Sequence, residues 1–140
     1  MTLIALLRVA GASLIVLSLF HAVLWRTLDW GREIERLSPL NARVFSVHTF
    51  FIAFVLGALG LLSLARPELL VRPGELARLL LLAVVIFWIA RLLIQHLVFD
   101  PVMRLGWTRS PVLRGGASLL WVIYVAVYGA ALFRQWGLVD

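Results

Sequence analysis

Apolar residues fall into four long runs separated by short polar stretches: about Leu3 to Trp25, Ala42 to Ala65, Leu76 to Phe99 and Val112 to Phe133. Each run is about 20–24 residues long, enough to cross a ~30 Å hydrocarbon layer at ~1.5 Å per residue. Backbone groups in lipid must be satisfied within their own segment, so each run predicts a helix; none shows the period-two alternation of a barrel strand. Short connections make sequential helices antiparallel. The predicted fold is therefore all-α, a four-transmembrane-helix up-down-up-down bundle forming one domain over residues 1–140. The first run reads as a retained span rather than a signal peptide. No basic region precedes it, Arg8 sits near its start, and no small-x-small cleavage site follows it.

The connections add detail. Arg26 to Asn41 is the longest and most charged, with Asp29, Arg32, Glu33, Glu35 and Arg36. Within it, Trp30 to Leu37 predicts a short amphipathic interfacial helix with Trp30, Ile34 and Leu37 on one side, ended by Pro39, with Asn41 capping the second span. Arg66 to Glu75 contains Pro67, Pro73 and Gly74 and reads as a turn. Asp100 to Pro111 reads as the third connection, opening on Asp-Pro and carrying Arg104, Gly106 and Trp107. Ala53 with Gly57, and Ala126 with Ala130, are small-xxx-small pairs that let helices approach closely. Trp25, Trp30, Trp107 and Trp136 fall near span ends, where interfacial aromatics belong.

Composition agrees with this pattern. The chain of 140 residues is 63% hydrophobic and only 14% charged, whereas a soluble domain is about half apolar and about a quarter charged. There is no cysteine, which removes disulfides, thiolate metal ligands and iron–sulfur clusters. The net charge is +6, carried by 13 arginines that lie mainly between the apolar runs. There they suit snorkelling and anionic lipid headgroups, so the expected partner is the bilayer and not nucleic acid. If the face bearing both termini is side A, it holds Arg8, Arg66, Arg72, Arg78 and Arg134. Side B then holds Arg26, Arg32, Arg36, Arg43, Arg104, Arg109 and Arg114, an excess that favours side B in the cytoplasm and both termini outside.

Candidate chemistry centres on the third run, which carries Arg91, Gln95, His96 and Asp100 in an otherwise apolar helix. Strongly polar groups at membrane depth cost several kcal/mol unless partnered and mark functional sites by default. Arg91 lies about two turns inside the span, too deep to snorkel easily. His96 and Asp100 share one stripe of the helix; Arg91 and Gln95 share another, rotated from the first by more than a quarter turn. An even up-and-down weave also carries all three histidines, His21, His48 and His96, toward side B.

Three ligand classes follow. His21, His48 and His96 with Asp100 have the donor types for zinc, copper or non-haem iron. Two histidines on facing helices are axial ligands for haem b, with Arg91 against a propionate. Arg91 and Gln95, with Trp121 and Tyr124 on one face of the fourth helix, suit the head of a quinone or lipid; Trp88 and Tyr128 extend that apolar slot. The competing reading is a non-catalytic scaffold or accessory subunit, self-associating or joined to other membrane subunits. Polar residues in such helices often serve only to fix packing, at ~0.6 kcal/mol each. No glycine-rich phosphate loop, HExxH or CxxC is present, and no Ser-His-Asp order points to an enzyme.

Ser38-Pro-Leu-Asn-Ala-Arg-Val-Phe-Ser-Val-His-Thr-Phe-Phe-Ile52 and Trp88-Ile-Ala-Arg-Leu-Leu-Ile-Gln-His-Leu-Val-Phe-Asp-Pro101 resemble stretches of small four-span bacterial integral membrane proteins. The resemblance covers most of the chain and implies a fold and an inner-membrane location, with no activity. A looser likeness, in size and histidine content, is to membrane b-type cytochrome subunits; it carries no ligand assignment.

Overall fold

The computed structural model describes residues 2–27, 30–103 and 111–137. Among these the protein is helical, without a strand. The elements are α1 (Leu3–Thr27), α2 (Trp30–Glu35), α3 (Pro39–Ala65), α4 (Glu68–Val71), α5 (Glu75–Ile94), a π-helical turn (Gln95–Phe99), α6 (Asp100–Met103) and α7 (Pro111–Gln135). Four segments are long and apolar enough to cross a membrane: Leu3–Val23, Pro39–Ala65, Glu75–Phe99 and Gly115–Gln135. The expected features at Asp29, Arg104, Gly106, Trp107 and Arg109 lie outside the described residues, as do the side chains of Trp25, Arg26, Glu33 and Arg114.

The chain divides into two compact units, Leu7–Pro67 and Glu68–Asp140, the second including Met1–Leu6. In the first unit α1 and α3 are antiparallel: Gly11 meets Gly60 through Leu64, while Ser18, two turns on, meets Ala53 and Gly57. A Cβ on Gly11 would stand 2.6 Å from Leu64 N and 2.7 Å from Gly60 O. The two backbones are therefore in contact, and only glycine fits there. Ser18 Oγ donates to the Ala53 carbonyl at 2.6 Å, adding an interhelical hydrogen bond beside the crossing. Ala53 and Gly57 line the contact as their spacing suggests, but its tightest point, Gly11 against Gly60, is not a four-residue repeat on either helix.

The entry to α3 differs from expectation. Ser38 rather than Asn41 is the cap: its Oγ accepts from Asn41 N at 3.3 Å, and Pro39 opens the helix instead of closing the one before. Proline suits a first helical position because its missing N–H would have no partner there. The short helix ahead of it forms as α2, and Trp30 packs edge-on against Phe45 with ring centroids 5.0 Å apart.

In the second unit α5 and α7 are also antiparallel. Trp88 and Arg91 on α5 meet Trp121 on α7, and Gly74, just before α5, meets Gln135 at the end of α7. Here the contact is made by large side chains: Trp88, Tyr124 and Tyr128 are completely or almost completely buried. Ala126 is exposed, and a Cβ on Gly129 would meet nothing within 4 Å, so these two small residues of α7 do not make a close backbone contact here. At the far end the Gln135 amide fastens the turn between α4 and α5. Its Nε2 donates to Leu70 O at 2.7 Å and Arg72 O at 2.8 Å, and its Oε1 accepts from Gly74 N at 3.0 Å. A turn that contains Pro73 leaves backbone groups without helical partners, and this one side chain satisfies three of them.

Helical structure does not stop at Asp100 as the Asp-Pro pair suggests; it runs through Pro101 to Met103. Proline within a helix lacks a donor and crowds the carbonyl one turn back. The widened π turn directly ahead of Pro101 opens the spiral at that point, with Asp100 N–H bonding to Gln95 O, five residues back.

Candidate functional site

The π turn also joins the two polar stripes of the third span. In an α-helix, residues five apart point ~140° away from each other. In a π turn they stack, because the backbone bond itself links residues five apart. Gln95 and Asp100 are so related, and Gln95 Nε2 donates to Asp100 Oδ1 at 3.0 Å. The same amide accepts through Oε1 from Arg91 Nη1 at 3.3 Å. Asp100 Oδ2 lies 2.9 Å from His96 Nδ1, one α-helical step away. The outcome is one continuous chain, Arg91–Gln95–Asp100–His96, with a buried neutral amide between a cation and a carboxylate.

Each member has a distinct setting. Gln95 is 2% exposed, Arg91 and Asp100 are partly buried, and His96 is exposed. The Arg91 guanidinium carbon lies 4.8 Å from the centroid of the Trp121 ring and 5.0 Å from that of Phe99. Cation–π contact of this kind contributes ~2 kcal/mol where water is excluded. Together with the bond to Gln95 it offsets much of the cost of an arginine ~12 Å from the span end. A carboxylate only accepts, so His96 donates from Nδ1.

Aromatic rings form the wall beside this chain. Trp88 and Trp121 stack with centroids 5.3 Å apart and planes 15° apart, and Tyr124 lies 4.4 Å from Trp88. Both indole Nε1 atoms, of Trp88 and Trp121, are buried and meet no hydrogen-bond acceptor among the described residues. A buried donor left without a partner costs about 1–3 kcal/mol, and native structures hold few of them.

Of the residues singled out from the sequence, Arg91, Gln95, His96, Asp100, Trp121 and Tyr124 all belong to the second unit, where their contacts link them. His21 and His48 belong to the first unit, and each bonds through Nδ1 to a carbonyl of its own helix, Leu17 O at 2.8 Å and Val44 O at 2.9 Å. Those bonds require the Nδ1–H tautomer. Among the described residues no group of three or more His, Asp or Glu is arranged to hold a metal ion. The metal set expected from His21, His48, His96 and Asp100 thus finds no support, and neither does haem ligation. Depth along a span says nothing about which way a ring points.

Three participants were not legible from pattern alone. Phe99 covers Arg91, Gln135 anchors the opposite end of α7, and the π turn sets the phase between Gln95 and Asp100. The signal for the last was present in Pro101 directly after a polar helical stretch. No protein-family model, curated protein or solved structure matches the chain.

Proposed function

We propose that the chain is a multi-pass protein of a bacterial inner membrane that binds the polar head of a membrane-resident amphiphile beside Arg91, Gln95, Trp88, Trp121 and Tyr124. The observation that carries this reading is the pair of buried indole N–H groups without acceptors, on the rings that flank a membrane-embedded arginine. Packing alone accounts for the aromatic rings; it does not account for two donors left unmet beside a cation. A head group that accepts hydrogen bonds removes that cost, and an acyl or isoprenoid tail is at home among the exposed apolar side chains of α5, such as Phe87 and Ile94.

Native mass spectrometry of the full chain released from detergent tests this directly. The expected result is a stoichiometric amphiphile adduct in the wild type that is lost in Arg91→Met and weakened in Trp121→Phe. An adduct indifferent to both substitutions overturns the reading and favours a scaffold or accessory subunit. A Soret band or stoichiometric metal in the same preparation overturns it in favour of a cofactor protein.

A further inference from the structure

We infer that the bound head is a neutral planar carbonyl ring of the quinone class and not a phosphate-bearing headgroup; this rests on the amphiphile reading above. The unmet donors are neutral, since an indole N–H carries no charge and offers one hydrogen to one acceptor. Arg91, the cation beside them, is already matched. Arg91 connects through the Gln95 amide to the Asp100 carboxylate, so a phosphate entering here meets an anion of the protein as well as a cation. A carbonyl oxygen accepts from indole N–H or guanidinium without that conflict.

Shape points the same way. Trp88 and Trp121 are nearly parallel, with Tyr124 tilted 37° against both, so the walls are flat. Flat aromatic walls favour an offset-stacked or edge-on ring. A phosphate head, tetrahedral and strongly hydrated, gains nothing from them. The cluster also supplies acceptors for the reduced form of such a ligand. Asp100 accepts through its carboxylate, and His96, held by Nδ1, presents Nε2 on an imidazole 54% exposed. Carbonyls of an oxidised ring thus find donors at Arg91 and the two indoles, and hydroxyls of a reduced ring find acceptors at His96 and Asp100, farther along the same span. Both indole N–H groups are covered, so entry requires side chains to part. Phe87, edge-on to Trp88, and Phe99, over Arg91, are each exposed on their outer sides and are the groups placed to swing away.

The test is indole ¹H–¹⁵N spectroscopy of the full chain in maltoside micelles. Six tryptophans give six indole signals, and Phe substitutions assign those of Trp88 and Trp121. Decylubiquinone is expected to shift these two signals downfield and saturably. Trp121→Phe, which keeps a stacking ring and deletes the donor, should weaken binding about fivefold, as loss of one neutral hydrogen bond does. Trp136→Phe should leave affinity unchanged. If dihexanoyl phosphatidylglycerol moves the two signals and decylubiquinone does not, the quinone inference falls while the amphiphile reading stands. If neither compound moves them, both fall.

Discussion

Between α1 and α3 the closest approach is made by the smallest residues, Gly11 and Gly60, with backbone against backbone. Between α5 and α7 the contact is made by large, buried side chains, Trp88, Trp121, Tyr124 and Tyr128. Lipid tails are as apolar as leucine, so neither pair is held by escape from water. What remains is dispersion and hydrogen bonding, and the two pairs divide these differently. Glycine contact gains close packing along the whole backbone and leaves no room for anything else. Aromatic contact leaves ring edges and indole N–H groups that need partners, and space that a side chain's motion can open. A protein that binds something in its membrane domain needs the second kind of interface, and that is where the polar chain from Arg91 to His96 lies.

The largest effect expected is on the glycine contact. Gly11→Val places a branched side chain where even a Cβ lies 2.6 to 2.9 Å from backbone atoms of Gly60, Ser63 and Leu64, none of which can rotate away. Overpacking of this severity should cost ~3 kcal/mol, measured by denaturant titration in mixed micelles. Gly129→Ala, on α7 with open space around it, should stay within about 0.5 kcal/mol of wild type. Comparable losses for the two would erase the distinction between the interfaces.

Next in size is Gln135. Gln135→Leu leaves Gly74 N–H and the carbonyls of Leu70 and Arg72 without their side-chain partner, at a cost of ~2 kcal/mol. Gln135→Glu sharpens the point. It preserves an acceptor for Gly74 but aims a carboxylate at two carbonyl oxygens, so it should be at least as unstable as the leucine variant. Wild-type stability for Gln135→Glu, in the same titration, would show that the two donated bonds contribute nothing.

How much of this was legible beforehand follows from which property each residue depends on. Span number, helix type and the polarity of Arg91, Gln95, His96 and Asp100 depend on composition and period, and composition and period are in the sequence. The joining of the Arg91 and His96 stripes depends on helix phase, which shifted when Pro101 was accommodated by a π turn instead of a break. A fixed ~100° per residue therefore misplaces Asp100 relative to Gln95. The role of Gln135 depends on which turn lies beside the end of α7, a tertiary fact. The grouping of three imidazoles was drawn from depth alone. Depth left out the rotation about each helix axis and the pull of the i−4 carbonyl that holds His21 and His48.

The smallest effect is also the most discriminating, because it separates hydrogen bonding from close packing inside one interface. Ser18 Oγ donates to Ala53 O at 2.6 Å, and a Cβ on Gly57 would lie 3.0 Å from that same oxygen. Ser18→Ala removes the bond and should cost ~0.6 kcal/mol, the mean for interhelical hydrogen bonds in membranes. Gly57→Ala should cost a similar amount by pressing on Ser18 Oγ, which can yield only by giving up Ala53. In the double variant the hydroxyl is gone and the new methyl has room, so the two losses should not add: the pair should be no less stable than Ser18→Ala alone. Simple additivity in the cycle would mean that the Gly57 methyl is resisted by the helix backbones themselves. The α1·α3 contact would then be as unyielding at Ser18 as it is at Gly11, with the hydrogen bond incidental to it.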